Sequence, residues 1–155
     1  MKLVIQGKVL TSQKALEKYS RDESPYSIKP KIIAIPQNTS DLVEIVNYSK
    51  HTKMPIIARG AGSNVSGSAI GKGIIVDFQN MSSILKVSKN TVTIQPGLYY
   101  AALNKRMARQ NLFLPYSPSS GSFSTIGGNV STKASGFRGL KYGSIDNYVT
   151  RIKFV

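Results

Sequence analysis

A glycine-rich segment in the first half of the sequence has the composition of a phosphate-binding loop. Residues 59–67 follow the apolar run 55–58 and read RGAGSNVSG. Small residues let the backbone approach a ligand closely, and successive N–H groups in such a turn bind anions. The side chains of Ser63, Asn64 and Ser66 add further donors. The pattern therefore favours a pyrophosphate ligand, although a plain Gly/Ser surface loop has the same composition.

Two common phosphate loops do not fit this segment. The dinucleotide fingerprint G-x-G-x-x-G opens a helix, whereas here Gly67 comes two positions late and a strand is expected to follow. The Walker loop places Lys and then Ser or Thr after its second glycine, and this sequence has Ser68 and Ala69 there. If residues 59–67 bind phosphate, they do so as a third kind of loop.

A second segment, residues 118–143, is longer and reads PSSGSFSTIGGNVSTKASGFRGLKYG. It offers many hydroxyls and backbone donors with little side-chain bulk, which suits close contact with a flat or anionic cofactor. It holds too many glycines for a regular element. Long loops without secondary structure are uncommon inside compact domains unless they are functional, which argues against a merely mobile loop.

The remaining reactive residues exclude several classes of site. Among 155 residues there is no cysteine and one histidine, His51. The sequence therefore has no disulfide, no thiolate metal site, no cysteine nucleophile and no obvious histidine-based triad. We assign no catalytic residue and no metal ligand. Arg59, Arg138 and Lys141 fit contacts with phosphate or carboxylate as well as they fit solvated surface charges.

The formal net charge of +14 raises the question of an anionic partner. Neutralising phosphates favours nucleic-acid binding, and a basic nucleic-acid-binding domain is the alternative from another functional class. The lysines are scattered, however, and no aromatic-plus-basic motif is present, so we expect no nucleic acid. The charge is compatible with peripheral membrane association, but no motif supports it. Without a signal peptide or an apolar run of about 20 residues, a cytoplasmic location is expected.

Hydrophobic periodicity and turn residues place the elements around the two segments. A short helix is expected near residues 10–19 with Thr11 or Ser12 as N-cap. A second helix, capped by Thr39 or Ser40, runs to about residue 53 and packs through Leu42, Ile45, Val46 and Ser49. Strands are expected at 32–35, 55–58 and 74–78, a hairpin at 85–88 and 91–94, a helix at 99–110, and an alternating strand at 147–155.

A strand, a helix and a further strand connected by this length of chain imply parallel pairing. The expected fold class is α+β: a small parallel β-α-β subdomain followed by an incomplete antiparallel β subdomain. We treat residues 1–155 as a single domain with three parts. These are an N-terminal extension (1–30), a first subdomain (31–95) and the start of a second subdomain (96–155).

The two glycine segments together resemble the flavoproteins typified by vanillyl-alcohol oxidase and p-cresol methylhydroxylase. Residues 59–67 look like the pyrophosphate loop of that family, and residues 118–120, 124–129, 134–136 and 142–143 look like its second FAD-contact segment. Residues 33–36 and 93–97 also fall where the family has them. Within the family the FAD-linked D-lactate and glycolate dehydrogenases look similar, whereas residues 131–136 lean toward alkylglycerone-phosphate synthases. The branch stays open.

The resemblance implies a two-part FAD-binding domain and a set of cofactor contacts. The pyrophosphate would lie against Gly60, Ala61, Gly62, Ser63, Asn64 and Gly67. The ribityl and isoalloxazine side would be lined by Pro118, Ser119, Ser124, Thr125, Ile126, Gly127, Gly128, Ala134, Ser135 and Gly136. Many members attach FAD through a histidine beside the first loop. Because Ser63 stands at that position and cysteine is absent, noncovalent FAD is expected.

The implied activity is flavin-dependent oxidation of a small 2-hydroxy acid such as D-lactate or glycolate, with an alkylglycerone-phosphate synthase-like enzyme as the alternative. In the family the FAD domain continues past this point, and a separate cap domain supplies the substrate pocket. The sequence thus predicts the truncated N-terminal part of an enzyme, inactive alone, which needs a C-terminal polypeptide or a second subunit. An unpaired sheet edge also predicts marginal stability or self-association.

Overall fold

The computed structural model describes residues 2–155 and divides them into two compact units. The first contains the chain up to Met81, and the second comprises Ser82–Phe154. The first glycine-rich segment lies in the first unit, and the second segment lies in the second unit.

The first unit is built on a four-stranded sheet. Its strands are β1 (Lys8–Leu10), β2 (Ile32–Ile35), β3 (Ile56–Arg59) and β4 (Ile74–Asp77), in the spatial order β1-β2-β4-β3. Both β2 and β3 pair in parallel with β4, and β1 adds an antiparallel edge. The predicted parallel β-α-β arrangement is therefore confirmed. The strand β1 has only three residues and was not predicted from the sequence.

Two helices cover opposite faces of this sheet. The helix α1 (Gln13–Lys18) supplies Leu16 to a cluster with Ile33, Ile35 and Ile75, whereas α2 (Thr39–Thr52) packs Ile45 and Tyr48 against Ala34, Ile74 and Val76. Because both faces are buried, β2 and the first three residues of β4 are continuous apolar runs, as expected for parallel strands.

The start of α2 differs from the expectation in one residue. Its N-cap is Asn38, whose Oδ1 accepts a 2.9 Å hydrogen bond from the Asp41 N–H. Thr39 and Ser40, the predicted caps, lie inside the first turn. Asn38 takes the capping role because its backbone is extended, which aims its side chain at the free amides of the first turn. For α1 the expected cap is confirmed at Ser12, whose Oγ accepts from Ala15 N–H.

The second unit combines a hairpin with short helices. The strands β5 (Ile84–Val87) and β6 (Val92–Ile94) pair antiparallel, which confirms the predicted hairpin. They are followed by α3 (Tyr100–Ala108), α4 (Ile126–Ser131) and α5 (Gly139–Tyr142). The core of the unit consists of buried apolar side chains: Leu98, Leu103, Met107, Tyr116, Ile126 and Ile145. The combination of a small parallel sheet and a separate antiparallel hairpin is the predicted α+β class.

Two sequence-based expectations for this unit were wrong. Residues 118–143 are not without regular elements, because they contain α4 and α5. The glycines of α4 are accommodated by the Thr125 cap and by tight packing, which override their low helix propensity. Residues 147–155 do not form a strand. A 3₁₀ turn covers Ile145–Tyr148, and residues 149–155 belong to neither of the two sheets. An alternating pattern gives a strand only where a neighbouring strand supplies hydrogen-bond partners.

Among residues 2–155, none of the helices has the length and apolar character needed to cross a bilayer.

Candidate functional site

The first glycine segment lies at the carboxyl end of a parallel strand. It begins where β3 ends at Arg59 and leads back toward β4. In open sheets with parallel strands, ligands bind outside the carboxyl ends of the strands. Gly62 and Gly67 have φ angles of +74° and +81°, a region that favours glycine. The two glycines thus let the chain turn sharply at this edge of the sheet.

The loop is ordered by its own polar side chain and leaves several amides free. The Oδ1 atom of Asn64 accepts hydrogen bonds from the Ser66 N–H at 2.8 Å, the Ser66 hydroxyl at 2.9 Å and the Ser68 N–H at 3.1 Å. In contrast, the N–H groups of residues 61–65 find no partner within the part of the chain that the structure describes. Successive free amides around a turn are the donors from which an anion-binding nest is built.

Charged side chains hold the base of this loop. Nη1 of Arg59 donates to the carbonyl oxygens of Arg21 at 2.9 Å and Ala69 at 3.1 Å. Oδ2 of Asp22 accepts from the Ala69 N–H at 3.3 Å, and Oδ1 accepts from the Ser24 N–H and hydroxyl. Partial burial opposes ionisation of Asp22, but these hydrogen bonds and the Arg59 guanidinium hold its pKa below the usual range. The loop is therefore anchored to residues 21–24.

The second segment contains the capped helix α4. The Thr125 hydroxyl accepts from the Gly128 N–H at 3.2 Å. The N–H of Ile126 donates to the Leu98 carbonyl and that of Gly127 to the Pro96 carbonyl, each at 2.8 Å. These two amides are thus already bonded within the unit, and the Ile126 side chain belongs to its core.

The adjacent glycines of α4 have different surroundings. A Cβ atom added to Gly127 would lie 2.7 Å from Cβ and 2.8 Å from the carbonyl oxygen of Pro96, so only glycine fits there. At Gly128 the one near neighbour of such an atom is Oγ1 of Thr125, at 3.1 Å. The side of α4 at Gly128 is therefore open, and a ligand can approach the backbone closely.

Backbone contacts bring the two ends of the second segment together. The Ser117 N–H donates to the Ser135 carbonyl at 3.1 Å, and the Phe137 N–H donates to the Ser117 carbonyl at 3.0 Å. Gly136, with φ of +88°, lies so close to Ser117 that an added Cβ would be 1.8 Å from its carbonyl oxygen. Pro118 consequently lies beside Gly136, where an added Cβ would be 2.7 Å from the Pro118 Cα atom.

Buried polar groups surround the start of α4. Oγ of Ser124 is buried and has no hydrogen-bond partner among residues 2–155. Nδ2 of the buried Asn129 donates to the Tyr116 hydroxyl at 3.1 Å, and the Tyr116 carbonyl accepts from the Tyr100 hydroxyl. Burial raises the pKa of Tyr116 to about 12. An unpartnered buried hydroxyl is uncommon, and it fits a site that a polar ligand completes.

The structure thus groups the predicted site residues into two clusters. One consists of Gly60, Ala61, Gly62, Ser63, Asn64 and Gly67; the other contains the predicted residues between Pro118 and Gly136. Sequence reasoning missed the residues that support them. Arg59 donates hydrogen bonds to carbonyl groups of this chain. The sequence had suggested either a contact with phosphate or carboxylate or a solvated surface charge. The roles of Asp22 and Tyr116 had no signal in the sequence, because each depends on a contact with a distant residue.

Comparison with known proteins shows the family of this chain. The family model described as "FAD binding domain" matches residues 30–155. The glycolate oxidase subunit GlcD of Bacillus subtilis is 34% identical over 142 residues, which cover 88% of this chain and 30% of that protein. The D-2-hydroxyglutarate dehydrogenase of Stutzerimonas stutzeri is 30% identical, and the match covers 99% of this chain and 34% of the relative.

A solved structure of alkyldihydroxyacetonephosphate synthase superposes with a TM-score of 0.80 and 25% sequence identity. The superposition covers 90% of this chain and 29% of that one. The chain therefore spans about a third of the length of the curated relatives that it matches.

Proposed function

The chain belongs to the FAD-binding domain family of oxidoreductases, and we propose that it binds FAD without a covalent bond as the N-terminal part of a flavin-dependent enzyme that oxidises a small 2-hydroxy acid. Glycolate and D-lactate are the proposed substrates. The observation that carries this proposal is the loop after β3, with its five consecutive free amides.

The first loop is proposed to hold the pyrophosphate of FAD. Two linked phosphates need several donors at close range, and the free N–H groups of residues 61–65 supply them from the backbone. The side chain of Ser63 adds a donor beside them. Gly60, Gly62 and Gly67 keep the loop free of side chains that would hold a ligand away.

The second segment is proposed to contact the ribityl chain and the isoalloxazine ring. Ser124 is the best supported of these contacts, because its buried hydroxyl has no partner in the described chain. The open backbone at Gly128 and the hydroxyls of Ser119 and Ser135 complete the proposed surface. Ile126 and Gly127 would contribute shape to it, since their amides are already bonded.

Noncovalent binding is supported by the placement of the reactive side chains. Ser63 occupies the loop position at which many family members have the histidine that bonds to flavin, and the sequence contains no cysteine. His51 lies in the last turn of α2, before β3 begins at Ile56. A four-residue strand of roughly 13 Å therefore separates His51 from the loop.

The chain's share of the reaction is to bind and orient the cofactor. FAD, when bound, accepts the hydride that leaves the substrate carbon. We assign no residue of this chain to substrate binding or to proton removal. The pocket that does both is proposed to lie in the part of the enzyme that corresponds to the unmatched two thirds of its relatives.

An alkylglycerone-phosphate synthase-like activity is the second candidate. It is favoured by the TM-score of 0.80 to alkyldihydroxyacetonephosphate synthase and by the sequence of residues 131–136. Adding glycolate, D-lactate, or an acyl-dihydroxyacetone phosphate together with a long-chain alcohol to the FAD-loaded chain, supplemented with the rest of the enzyme, separates the candidates. Bleaching of the flavin by a 2-hydroxy acid supports the first, and exchange of the acyl group for the alcohol, without bleaching by a 2-hydroxy acid, supports the second.

The binding proposal is tested by titrating the purified chain with FAD, following flavin fluorescence and the melting temperature, with ADP as competitor. We expect saturable binding, competition by ADP, and loss of binding in Gly128→Val. Ala102→Val, which introduces the same side chain at an exposed position of α3, is the control. Absence of FAD binding, or equal loss in both variants, would contradict the proposed site.

A further inference from the structure

We propose that Arg59 is a positioning residue: its guanidinium holds the first glycine loop in the shape that receives a pyrophosphate. This inference rests on the proposed FAD site. It assigns Arg59 an internal structural role that differs from direct contact with phosphate and from a solvated surface charge. Four observations within the first unit support it.

The first observation is that Arg59 closes the loop that it begins. The residue is the last of β3, and its Nη1 donates to the carbonyl oxygen of Ala69, ten positions further along the chain. The same Nη1 donates to the Arg21 carbonyl. One side chain thus connects the start of the loop, its end and the N-terminal segment.

The second observation is the position of the guanidinium under the turn. An added Cβ atom at Gly62 would lie 2.3 Å from Nη2 and 2.7 Å from Cζ of Arg59. Gly62 is buried, and its φ of +74° carries the backbone over the guanidinium. The turn is therefore folded directly onto Arg59, and any larger residue at position 62 would displace one of the two.

The third observation is that the arginine is itself fixed. Its Cζ lies 5.3 Å from the centroid of the Tyr19 ring, within the range of cation–π contact. The Tyr19 hydroxyl is held by Asp77 at 2.6 Å, and Asp77 is the β4 residue paired with Arg59 in the sheet. Such restraints remove the freedom that a long side chain normally keeps at a surface.

The fourth observation is the pairing of opposite charges on the backbone of one residue. The carbonyl of Ala69 accepts from Arg59, while its N–H donates to the Asp22 carboxylate. Opposite charges thus hold both polar groups of a single residue. Hydrogen bonds to charged groups are stronger than neutral ones, so this contact fixes the end of the loop.

Together these contacts fix the shape of the first glycine loop before a ligand binds. The free amides of residues 61–65 belong to this anchored loop, and the Arg59 guanidinium lies against Gly62 in the middle of it. Preorganised donors bind an anion more tightly because their ordering is not part of the binding step. Lysine would keep the charge but lacks the planar fork of arginine, so charge alone would not reproduce the effect.

The test compares Arg59→Gln, Arg59→Lys and the control Arg21→Gln in the full chain. Arg21→Gln removes the same charge beside the loop but keeps the Arg21 carbonyl that Arg59 contacts. Three properties are measured: the dissociation constants of FAD and ADP, the rate of amide hydrogen exchange at Ser66, Ser68 and Ala69, whose N–H groups are hydrogen-bonded, and the melting temperature without ligand. The exchange measurement reports loop order without requiring any ligand.

We expect Arg59→Gln to weaken FAD and ADP by roughly tenfold or more, the factor expected when hydrogen bonds from a charged group are lost. Exchange at Ser66, Ser68 and Ala69 should accelerate, Arg59→Lys should be intermediate, and Arg21→Gln should match the wild type. Equal affinities in Arg59→Gln and wild type, or equal losses in Arg59→Gln and Arg21→Gln, would overturn the inference.

Two further outcomes are also decisive. If wild type binds neither FAD nor ADP, the proposed function fails, while exchange at Ser66, Ser68 and Ala69 still decides the role of Arg59: faster exchange in Arg59→Gln supports it and unchanged exchange refutes it. If Arg59→Gln loses its cooperative melt, Arg59→Lys carries the test. Wild-type exchange and affinity in Arg59→Lys would then show that charge suffices and would refute positioning by the guanidinium fork.

Discussion

The hydroxyl of Tyr19 donates a 2.6 Å hydrogen bond to Oδ2 of Asp77, a carboxylate that is only 6% exposed. The two residues are 58 positions apart, so the bond ties the N-terminal segment to the end of β4. Oδ1 of Asp77 accepts from the Gln79 N–H at 2.9 Å. Burial, together with the hydrogen bond to Asp77, raises the pKa of Tyr19 far above its usual value. The phenol therefore remains a donor throughout the ordinary pH range.

Replacing Tyr19 with phenylalanine should destabilise the chain. The variant keeps the ring beneath Arg59 but leaves Oδ2 of the buried Asp77 without its donor. We expect the free energy of unfolding to fall by about 1–3 kcal/mol, the usual effect of an unsatisfied buried polar group. Urea denaturation measures the change. Tyr26→Phe is the matched control, because Tyr26 is 58% exposed, and equal stability of the two variants would contradict the prediction.

Replacing Asp41 with asparagine tests a second buried carboxylate. Asp41 lies in the first turn of α2 and accepts from the N–H groups of Gln6 at 2.8 Å, Gly7 at 3.0 Å and Gln37 at 2.9 Å. An amide has one oxygen instead of two, and its NH₂ group faces donors. We expect a loss of about 1–3 kcal/mol in the free energy of unfolding.

Glu44→Gln provides the control for Asp41→Asn. It makes the same change of charge on the same helix, at an exposed position. If chemical denaturation gives the same loss for both variants, the effect comes from the net charge or the helix dipole, and the three backbone hydrogen bonds contribute little.

Asp41 and its neighbours also show which contacts a sequence pattern does not reveal. The pattern identified α2 correctly, because apolar residues recur on one face and Asp41 suits the first turn. It did not reveal that the Asp41 carboxylate binds the N-terminal segment, since those three donors come from residues 6, 7 and 37. For the same reason β1 was not predicted: a three-residue strand exists because β2 offers it an edge.

The candidate site, too, was only partly predictable from the sequence. Glycine and serine content located both segments, because close approach of a backbone to a ligand requires small residues whatever the surrounding fold. The support beneath the first loop was not predictable, since it joins Arg59 to Arg21, Ala69 and Tyr19 through tertiary contacts. The strand expected at 147–155 failed for a related reason: alternation describes side chains, whereas a strand also needs a partner for its backbone.

Tyr116 gives a prediction about pH. Its pKa is raised to about 12 by burial, whereas in the unfolded chain it should be about 10. Stability from this group is therefore fully present below pH 10 and is lost as pH rises from about 10 toward 12. We expect the free energy of unfolding to fall less steeply over that range in Tyr116→Phe than in the wild type.

Denaturant titrations at several pH values measure this slope, which is insensitive to the constant cost of leaving Asn129 Nδ2 without its acceptor. Tyr99→Phe is the control, because Tyr99 is 43% exposed, and it should retain the wild-type slope. Parallel curves for Tyr116→Phe and wild type would show that Tyr116 titrates alike in the folded and unfolded chain.

Replacing Ser124 with alanine should affect stability and cofactor binding differently. The Ser124 hydroxyl is buried without a partner among the described residues, so its removal eliminates a desolvated polar group. We expect the free energy of unfolding to stay constant or rise by up to about 1 kcal/mol. If the hydroxyl bonds to FAD as proposed, FAD affinity should fall by roughly three- to tenfold, the range expected for one hydrogen bond. Ser122→Ala, at an exposed position of the same segment, should change neither property. Unchanged FAD affinity in Ser124→Ala would remove Ser124 from the cofactor site, and a clear loss of stability would mean that its hydroxyl has a structural partner after all.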